Sequence, residues 1–426
     1  MNDPTRTKTP RSTWWLLASL YTTQYLGLGF FVIALAALLR EQGAPLDQIS
    51  LVYMLGLLWA LKFLWAPLVD RIGVRRWGHY RGWLMLMQAG MMACFLLIGA
   101  YDLIDDFSTI YLLCVVVALL SATQDIAADG LACRLIPAEE RGTGNGIQVA
   151  GGLLGNMLGG GVVLMAYPYL GWVGSMVVLA LATGVALVQL LVFREPRWPV
   201  ATTARPRLLP RIGGLLRARP GRYWLAMLLL YPLGYNLMFI PLTPILVDLG
   251  WSVERIGFTV NVFGSVVGII GALAAGWVFN RVARRNALTG AALLQIIGVG
   301  AVALPLLGMT DTLTVMLAIG AFFLCCNPAT TVLAAVMMDH ASHDAPATDY
   351  SLQFSLSMGF AMVAATVSTS LAEQLGYLSV IWTALAVAVV ALLLALPYRF
   401  QRVFPEGEST EDAPALNPAV VTGDAR

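Results

Sequence analysis

Charge is scarce in this chain. Asp, Glu, Lys and Arg make up 12% of its 426 residues, about half the share of an ordinary soluble domain, so water is not the main solvent of its surface. Lysine is scarcer still, with only Lys8 and Lys62 against 24 arginines. No lysine stands in a G-x-x-x-x-G-K-[ST] loop, which excludes the phosphate cradle of an ATP-driven pump. A net charge of +2 without a basic domain leaves no surface for nucleic acid. There are three histidines and no H-E-x-x-H, so a zinc hydrolase site is excluded. The five cysteines (Cys94, Cys114, Cys133, Cys325, Cys326) lack zinc spacing and sit in or beside apolar runs. They read as reduced packing residues, not as a disulfide framework. No metal and no cofactor is expected.

Apolar residues fill the space that charge vacates, at 58% of the chain. Crossing a bilayer takes about 20 apolar residues, and runs of that size predict helices near 14–39, 50–69, 83–103, 108–130, 144–167, 172–193, 224–246, 256–279, 288–307, 313–338, 350–371 and 378–396. Backbone in lipid must satisfy its own hydrogen bonds, and runs this long without strict alternation are helices, not barrel strands. The expected fold class is all-α integral membrane, with about twelve transmembrane helices. The first run contains Ala34, Leu35 and Ala36 in the manner of a cleavage site, but it is longer than the apolar core of a secretion signal, about 7–15 residues.

The arginines set the expected orientation, because positively charged loops stay in the cytoplasm. Twenty-three of the 26 basic residues fall in the N-terminal tail, the even-numbered connections and the C-terminal tail. Arg40 and Arg255 lie on the opposite face and Lys62 lies within a helix. Both termini are therefore expected on the cytoplasmic side. The stretch from Arg194 to Tyr223 holds eight arginines and Pro196, Pro199, Pro206, Pro210 and Pro220, which reads as a linker between two halves. The domain expectation is a half over 1–193, a linker over 194–223, a half over 224–398 and a disordered tail over 399–426.

Two pairs of segments repeat in register. Gly43-Ala-Pro-Leu-Asp-Gln-Ile49 matches Gly250-Trp-Ser-Val-Glu-Arg-Ile256 at an offset of 207, and Asp70-Arg71-Ile-Gly-Val-Arg75-Arg76 matches Asn280-Arg281-Val-Ala-Arg284-Arg285 near 210. Parallel six-helix repeats related by an axis along the membrane normal carry a substrate cavity between the halves. The loop Asp70-Arg-x-Gly-x-Arg-Arg76 resembles the signature loop of the major facilitator superfamily. Lys62-Phe-Leu-Trp-Ala-Pro-Leu-Val-Asp-Arg71, Arg81-Gly-Trp, Ser121-Ala-Thr-Gln-Asp125-Ile and Pro137-Ala-Glu-Glu-Arg-Gly142 narrow this. They resemble the branch of the muropeptide permeases, acetyl-coenzyme A transporters and rhizobactin/pyochelin siderophore permeases. The compact length and the opening Thr22-Thr-Gln-Tyr25 through Leu39-Arg-Glu-Gln-Gly-Ala44 are most similar to the siderophore permeases. The resemblance implies a monomeric proton-coupled importer in the bacterial inner membrane, with a ferric siderophore as substrate and a muropeptide as the alternative.

Charge within a membrane helix costs about 2.5–3.5 kcal/mol on insertion scales, so each such residue is a functional candidate. Lys62 and Asp125 precede Asp70 and Arg134 by eight and nine residues, which places both roughly 12–14 Å inside the cytoplasmic face. They read as a proton-coupling carboxylate with its ammonium partner, or else as a static ion pair orienting two helices. Asp129, one turn beyond Asp125, reads as a gate residue within reach of Arg71 or Arg134. The resemblance implies a cytoplasmic latch made of Asp70, Arg71, Arg75 and Arg76, and the two latter serve equally as a solvated topology signal. Candidate substrate contacts are Gln24, Tyr25, Trp59, Gln124, Tyr235 and Asn236, the last beside Pro232, Pro241 and Pro244, which must break helix seven and free carbonyls for a cavity. Tyr21 is a further possible stacking surface, and Gln148 and Asn327 stand in reserve. Ladders of small residues, Gly151, Gly155 and Gly159 and Gly264, Gly268, Ala272 and Gly276, each line one helix face, and the resemblance implies that these two helices meet across the halves.

Readings from other classes are an intramembrane hydrolase using Asp125 and Asp129, and a non-transporting receptor. Two acids one turn apart on one helix do not face each other across a scissile bond, which weighs against the hydrolase. Gly142-Thr-Gly144-Asn-Gly146 has no preceding strand and reads as a helix start, not a nucleotide loop. His340 and His343, with Asp339 and Asp344, read as a solvated loop.

Overall fold

The computed structural model describes residues 8–73, 77–196 and 208–404, so Arg75 and Arg76 lie outside the described residues. Among the described residues eleven helical stretches are long and apolar enough to cross a membrane. One of them, Arg141–Val192, is 52 residues long, more than a bilayer needs. It turns at Gly171, whose φ of 63° and ψ of −171° suit a residue without a Cβ. Counting that stretch as two spans gives twelve, each on one of the apolar runs in the sequence. We number them α1 (Arg11–Glu41), α2 (Leu46–Leu64, continued by Ala66–Arg71), α3 (His79–Ile98), α4 (Phe107–Leu135), α5 and α6 (the two parts of Arg141–Val192), α7 (Arg219–Asp248), α8 (Glu254–Phe279), α9 (Arg284–Leu306), α10 (Thr312–His340), α11 (Pro346–Leu375) and α12 (Tyr377–Ala395).

Several of these helices are irregular where the chain bends around the centre. α1, α5 and α8 each widen into a π turn, at Phe30–Leu35, Met157–Val162 and Phe258–Phe263. α2 tightens to a 3₁₀ turn at Lys62–Leu64. Pro67 follows, lacking an N–H and crowding the carbonyl four residues back. α7 breaks ahead of Pro232 and again ahead of Pro241, as its prolines require. The Tyr231 carbonyl freed by the first break does not face a cavity. Gln295 of α9 donates Nε2 to it at 3.0 Å and accepts the Tyr235 N–H at 3.0 Å, replacing the lost helical bond with one side chain.

The packing of apolar side chains shows which end of the bundle is joined. One buried cluster draws on both halves at the arginine-rich ends of the helices, from Leu16, Val69, Tyr80 and Leu131 to Phe279, Val336 and Tyr350. Towards the opposite face the core divides in two. One cluster is built from α1 to α6, including Phe30, Phe95 and Met176, and the other from α7 to α12, including Met238, Phe322 and Ile381. The halves thus share one core at one face and keep separate cores towards the other, where α5 and α8 still approach each other at Gly161 and Val262.

Two details depart from the sequence reading. A helix, Leu208–Arg217, lies within the segment read as a linker, with Arg211 and Leu215 buried, and α7 starts soon after, at Arg219. Of the tail, Val403 and Phe404 are packed, at 8% and 1% exposed, while residues 399–402 are exposed. The rest of the tail lies outside the described residues.

Candidate functional site

At the level where the shared core ends, three charged groups are sealed together. Lys62, Asp125 and Asp129 are 0%, 1% and 0% exposed. The Lys62 ammonium donates to Asp125 Oδ2 and stands 3.7 Å from Asp129 Oδ2. The expected juxtaposition of Lys62 and Asp125 is present, and Asp129 joins it. A deficit of one positive charge results, because two carboxylates face one ammonium where desolvation makes net charge costly. Uncharged donors offset part of it. Gln24 Nε2 reaches Asp125 Oδ1 at 2.7 Å, and Asp129 Oδ1 accepts from Gln148 Nε2 at 2.8 Å and Tyr21 OH at 3.1 Å. Asp129 Oδ2 has no hydrogen-bond partner among the described residues. Asp129 therefore sits in the centre and not at the mouth beside Arg71, which is exposed.

This cluster is wired to the other half. Tyr350 of α11 donates its OH to Gln148 Oε1 at 2.7 Å, with Asn145 Oδ1 at 3.2 Å, so the path runs from Asp129 through Gln148 to Tyr350. The Lys62 ammonium also lies 4.2 Å from the centre of the Phe354 ring, again on α11, and 5.6 Å from that of Trp59, within the range of cation–π attraction. Tyr350 and Phe354 join the site only through the fold. Their only signal in the sequence was the polar run Asp349-Tyr-Ser-Leu-Gln-Phe-Ser355 inside an otherwise apolar span.

The residues proposed as substrate contacts divide by environment. Tyr25 and Trp59 lie with ring centres 4.8 Å apart, but Trp59 is 1% exposed and so forms the floor of that pair. Gln24 is turned to Asp125, and Gln124 donates Nε2 to Leu20 O at 2.9 Å and Thr23 Oγ1 at 3.2 Å. Both glutamines keep a buried Oε1 with no hydrogen-bond partner among the described residues, and such atoms in a native interior call for an explanation. In the other half Tyr235 stacks on Phe322 at 5.4 Å beside a half-buried Asn236.

The fused face is held by helix caps and ion pairs that cross the halves. Asp70, at the end of α2, accepts from Thr348 N at 2.7 Å, Thr348 Oγ1 at 2.6 Å and Ala347 N at 3.3 Å in the first turn of α11. Asn280, at the end of α8, accepts Gly142 N at 2.8 Å in the first turn of α5 and donates to Thr143 Oγ1 at 2.7 Å. Each satisfies donors that a helix start leaves open. Asp339 takes Arg141 Nη1 and Arg284 Nε, both at 2.9 Å, and Arg134 Nη2 reaches His343 O at 3.2 Å. The Leu208–Arg217 helix adds Arg211, paired with the buried Asp349. Glu195 holds the start of α3 through Arg81 N at 2.7 Å and Tyr80 N at 3.2 Å, and burial keeps its carboxyl above the usual range despite these bonds. His340 is not in a solvated loop: it is 2% exposed, packed on Trp224 and Phe400 at ring distances of 4.4 and 4.9 Å.

The small-residue ladder of α5 also needs correction. A Cβ on Gly155 would meet Thr22 O at 2.3 Å and one on Gly159 would meet Leu26 O at 2.1 Å, so the Gly151, Gly155 and Gly159 ladder packs on α1. The crossing of α5 with α8 uses Gly142 and Gly146 instead. A Cβ on Gly142 would lie 2.4 Å from Gly276 O, and one on Gly276 would lie 2.4 Å from Gly142 O. Five residues separate Gly146 from Gly151, a rotation of about 140° round the helix, so the two ladders serve different neighbours. On α8, Gly264 faces Phe323 of α10, Gly268 lies between Asn327 of α10 and Leu153 of α5, and Ala272 and Gly276 meet Gly146 and Gly142, so the α8 ladder does meet α5 across the halves as expected.

The family model of the Major Facilitator Superfamily matches residues 17–352. The chain belongs to this superfamily. It is 30% identical over 374 residues to the anhydromuropeptide permease of Escherichia coli K12, a match covering 86% of this chain and 75% of the relative. A putative transporter of Rickettsia felis, AmpG 4, is 24% identical over 260 residues, covering 58% of this chain and 63% of that one. Among solved structures the human organic anion transporter MFSD10 superposes with a TM-score of 0.70 at 15% identity, over 91% of this chain and all of that one. The Escherichia coli fucose:proton symporter FucP does so with a TM-score of 0.67 at 11% identity, over 91% and 98%. These two carry the fold: twelve membrane helices in two six-helix halves. The chain is a multi-pass membrane transporter of a small molecule, not an enzyme.

Proposed function

We propose that this transporter is a proton-coupled muropeptide importer of the bacterial inner membrane, with both termini on the cytoplasmic side. The observation that carries the substrate is the 30% identity to the anhydromuropeptide permease over 374 residues. The ferric siderophore favoured by the opening segment finds no support among these relatives, and the runner-up takes its place. A substrate combining sugar rings and a peptide suits the half-buried aromatic surfaces of Tyr25 and Tyr235 with Asn236 beside them, whereas Gln24 and Gln124 are fully buried and act behind that surface.

Coupling is assigned to Lys62, Asp125 and Asp129. With all three ionised the cluster carries one net negative charge in a desolvated site, and one proton neutralises it. Asp129 Oδ2, which lacks a hydrogen-bond partner among the described residues, is the seat for that proton. Asp129 reaches α11 through Gln148 and Tyr350, so a change in its protonation alters a contact between the halves. Asp70, Arg71, Arg75 and Arg76 belong to the latch that holds the cytoplasmic side shut. The test is uptake of labelled anhydromuropeptide into proteoliposomes under an imposed proton gradient, beside a ferric siderophore. Gradient-dependent muropeptide uptake is expected, and siderophore uptake without it would overturn the assignment.

A further inference from the structure

Where α5 and α8 cross, the arginine-rich face contains a cavity of about 420 Å³, floored by the Asn280–Thr143 pair of the cap and separate from the central cluster. Its walls are Trp14, Glu140 and Thr143 from the first half and Trp277, Asn280 and Arg281 from the second.

This site has the composition of a lipid headgroup pocket. Tryptophan is enriched where acyl chains give way to headgroups, and Trp277 is 58% exposed. Arg281 lies 3.7 Å above the Trp277 ring and donates Nη1 to the Trp277 carbonyl at 2.7 Å, which fixes an exposed guanidinium at the mouth. Glu140 on the facing wall is half-buried and steadied by Thr9 N at 3.1 Å on Oε2. Among the described residues Arg281 and Glu140 form no ion pair with each other. One fixed cation and one fixed carboxylate across a single pocket match a headgroup bearing both a phosphate and a primary ammonium.

We propose that this cavity binds the headgroup of a phosphatidylethanolamine-type phospholipid, with Arg281 and the Asn280 side chain on the phosphate and Glu140 and Thr143 on the ammonium. The headgroup then spans the two halves, and its binding favours the state in which this face is closed. An arginine is suited to phosphate, and charge-assisted hydrogen bonds make each side selective.

The test uses the full chain, delipidated and returned to nanodiscs, with retained lipid read by native mass spectrometry. Phosphatidylethanolamine should be retained about tenfold better than its N-trimethylated counterpart, which cannot donate to Glu140, and better than phosphatidylglycerol, which has no ammonium. Glu140→Gln should equalise the first two, and Arg281→Gln should lower retention of all three. The lipid comparison on the unaltered protein needs no variant to fold. Equal retention of the three lipids would overturn the headgroup assignment. Thermal stabilisation by inorganic phosphate or soluble glycerophosphoethanolamine to the same degree as by the lipid would overturn the lipid as the source.

Discussion

Asp70 and Asn280 perform the same act 210 residues apart: each, at the end of a helix in one half, accepts the backbone N–H of a helix start in the other, Thr348 at 2.7 Å and Gly142 at 2.8 Å. The two caps close a ring between the halves, because α2 holds α11 and α8 holds α5. They differ in charge. Asp70 adds attraction to the helix dipole, worth about 0.3–1 kcal/mol, and Asn280 offers only the hydrogen bond. Asp70→Ala should shift the balance away from the closed face by about 1–2 kcal/mol, as loss of a helix cap does, and Asn280→Asp should shift it the other way. Spin-label distances between the ends of α2 and α11 measure both. An unchanged distance distribution in Asp70→Ala would show that the cap does not set the balance.

How far the sequence reaches is visible at these same residues. The repeat that puts Asp70 and Asn280 in register was legible as two charged loops, and the twelve spans were legible because lipid permits little besides helix for such runs. Their partners were not, because the cap on Thr348 joins positions 278 residues apart and no local signal records a contact at that range. Helix rotation was hidden for a similar reason. Gly151, Gly155 and Gly159 make a clear ladder, but spacing alone does not say whether it faces α1 or α8. Lys62 and Asp125 could be paired from their depths, whereas Tyr350 entered only once α11 was placed.

Removing Lys62 alone should be more damaging than removing it together with Asp125. Lys62→Gln leaves two buried carboxylates without their cation, and breaking a buried pair from one side costs about 3–5 kcal/mol. Lys62→Gln with Asp125→Asn removes the pair and keeps comparable shape, so thermal stability in detergent should recover most of that loss. Equal melting temperatures for the single and double variants would show that the pair carries no such coupling.

The route from Asp129 to α11 can be cut at Tyr350. Tyr350→Phe keeps the ring and removes the hydroxyl that Gln148 and Asn145 share, a loss of about 1–3 kcal/mol if the buried acceptors stay unpaired. Substrate binding should change little and net uptake should slow severalfold, with the effect confined to the turnover rate. Uptake at the unaltered rate, with correct expression and folding, would show that the link does not carry the conformational step.

The crossing of α5 with α8 gives a contrast between two glycines on one helix. Gly142→Ala puts a Cβ about 2.4 Å from the Gly276 carbonyl, and Gly155→Ala puts one 2.3 Å from the Thr22 carbonyl. Both obstacles are backbone and cannot swing away, so each substitution should cost about 1–3 kcal/mol. They should differ in what moves. Gly155→Ala separates α1 from α5 within one half, so it should lower thermal stability wherever the transport cycle rests. Gly142→Ala separates the halves on the face that Asn280 caps, so it should raise the open population as Asp70→Ala does, with a smaller loss of melting temperature than Gly155→Ala. Spin-label distances and melting temperatures taken on the same samples would separate the two effects, and identical profiles for the two variants would mean that the crossing is ordinary static packing.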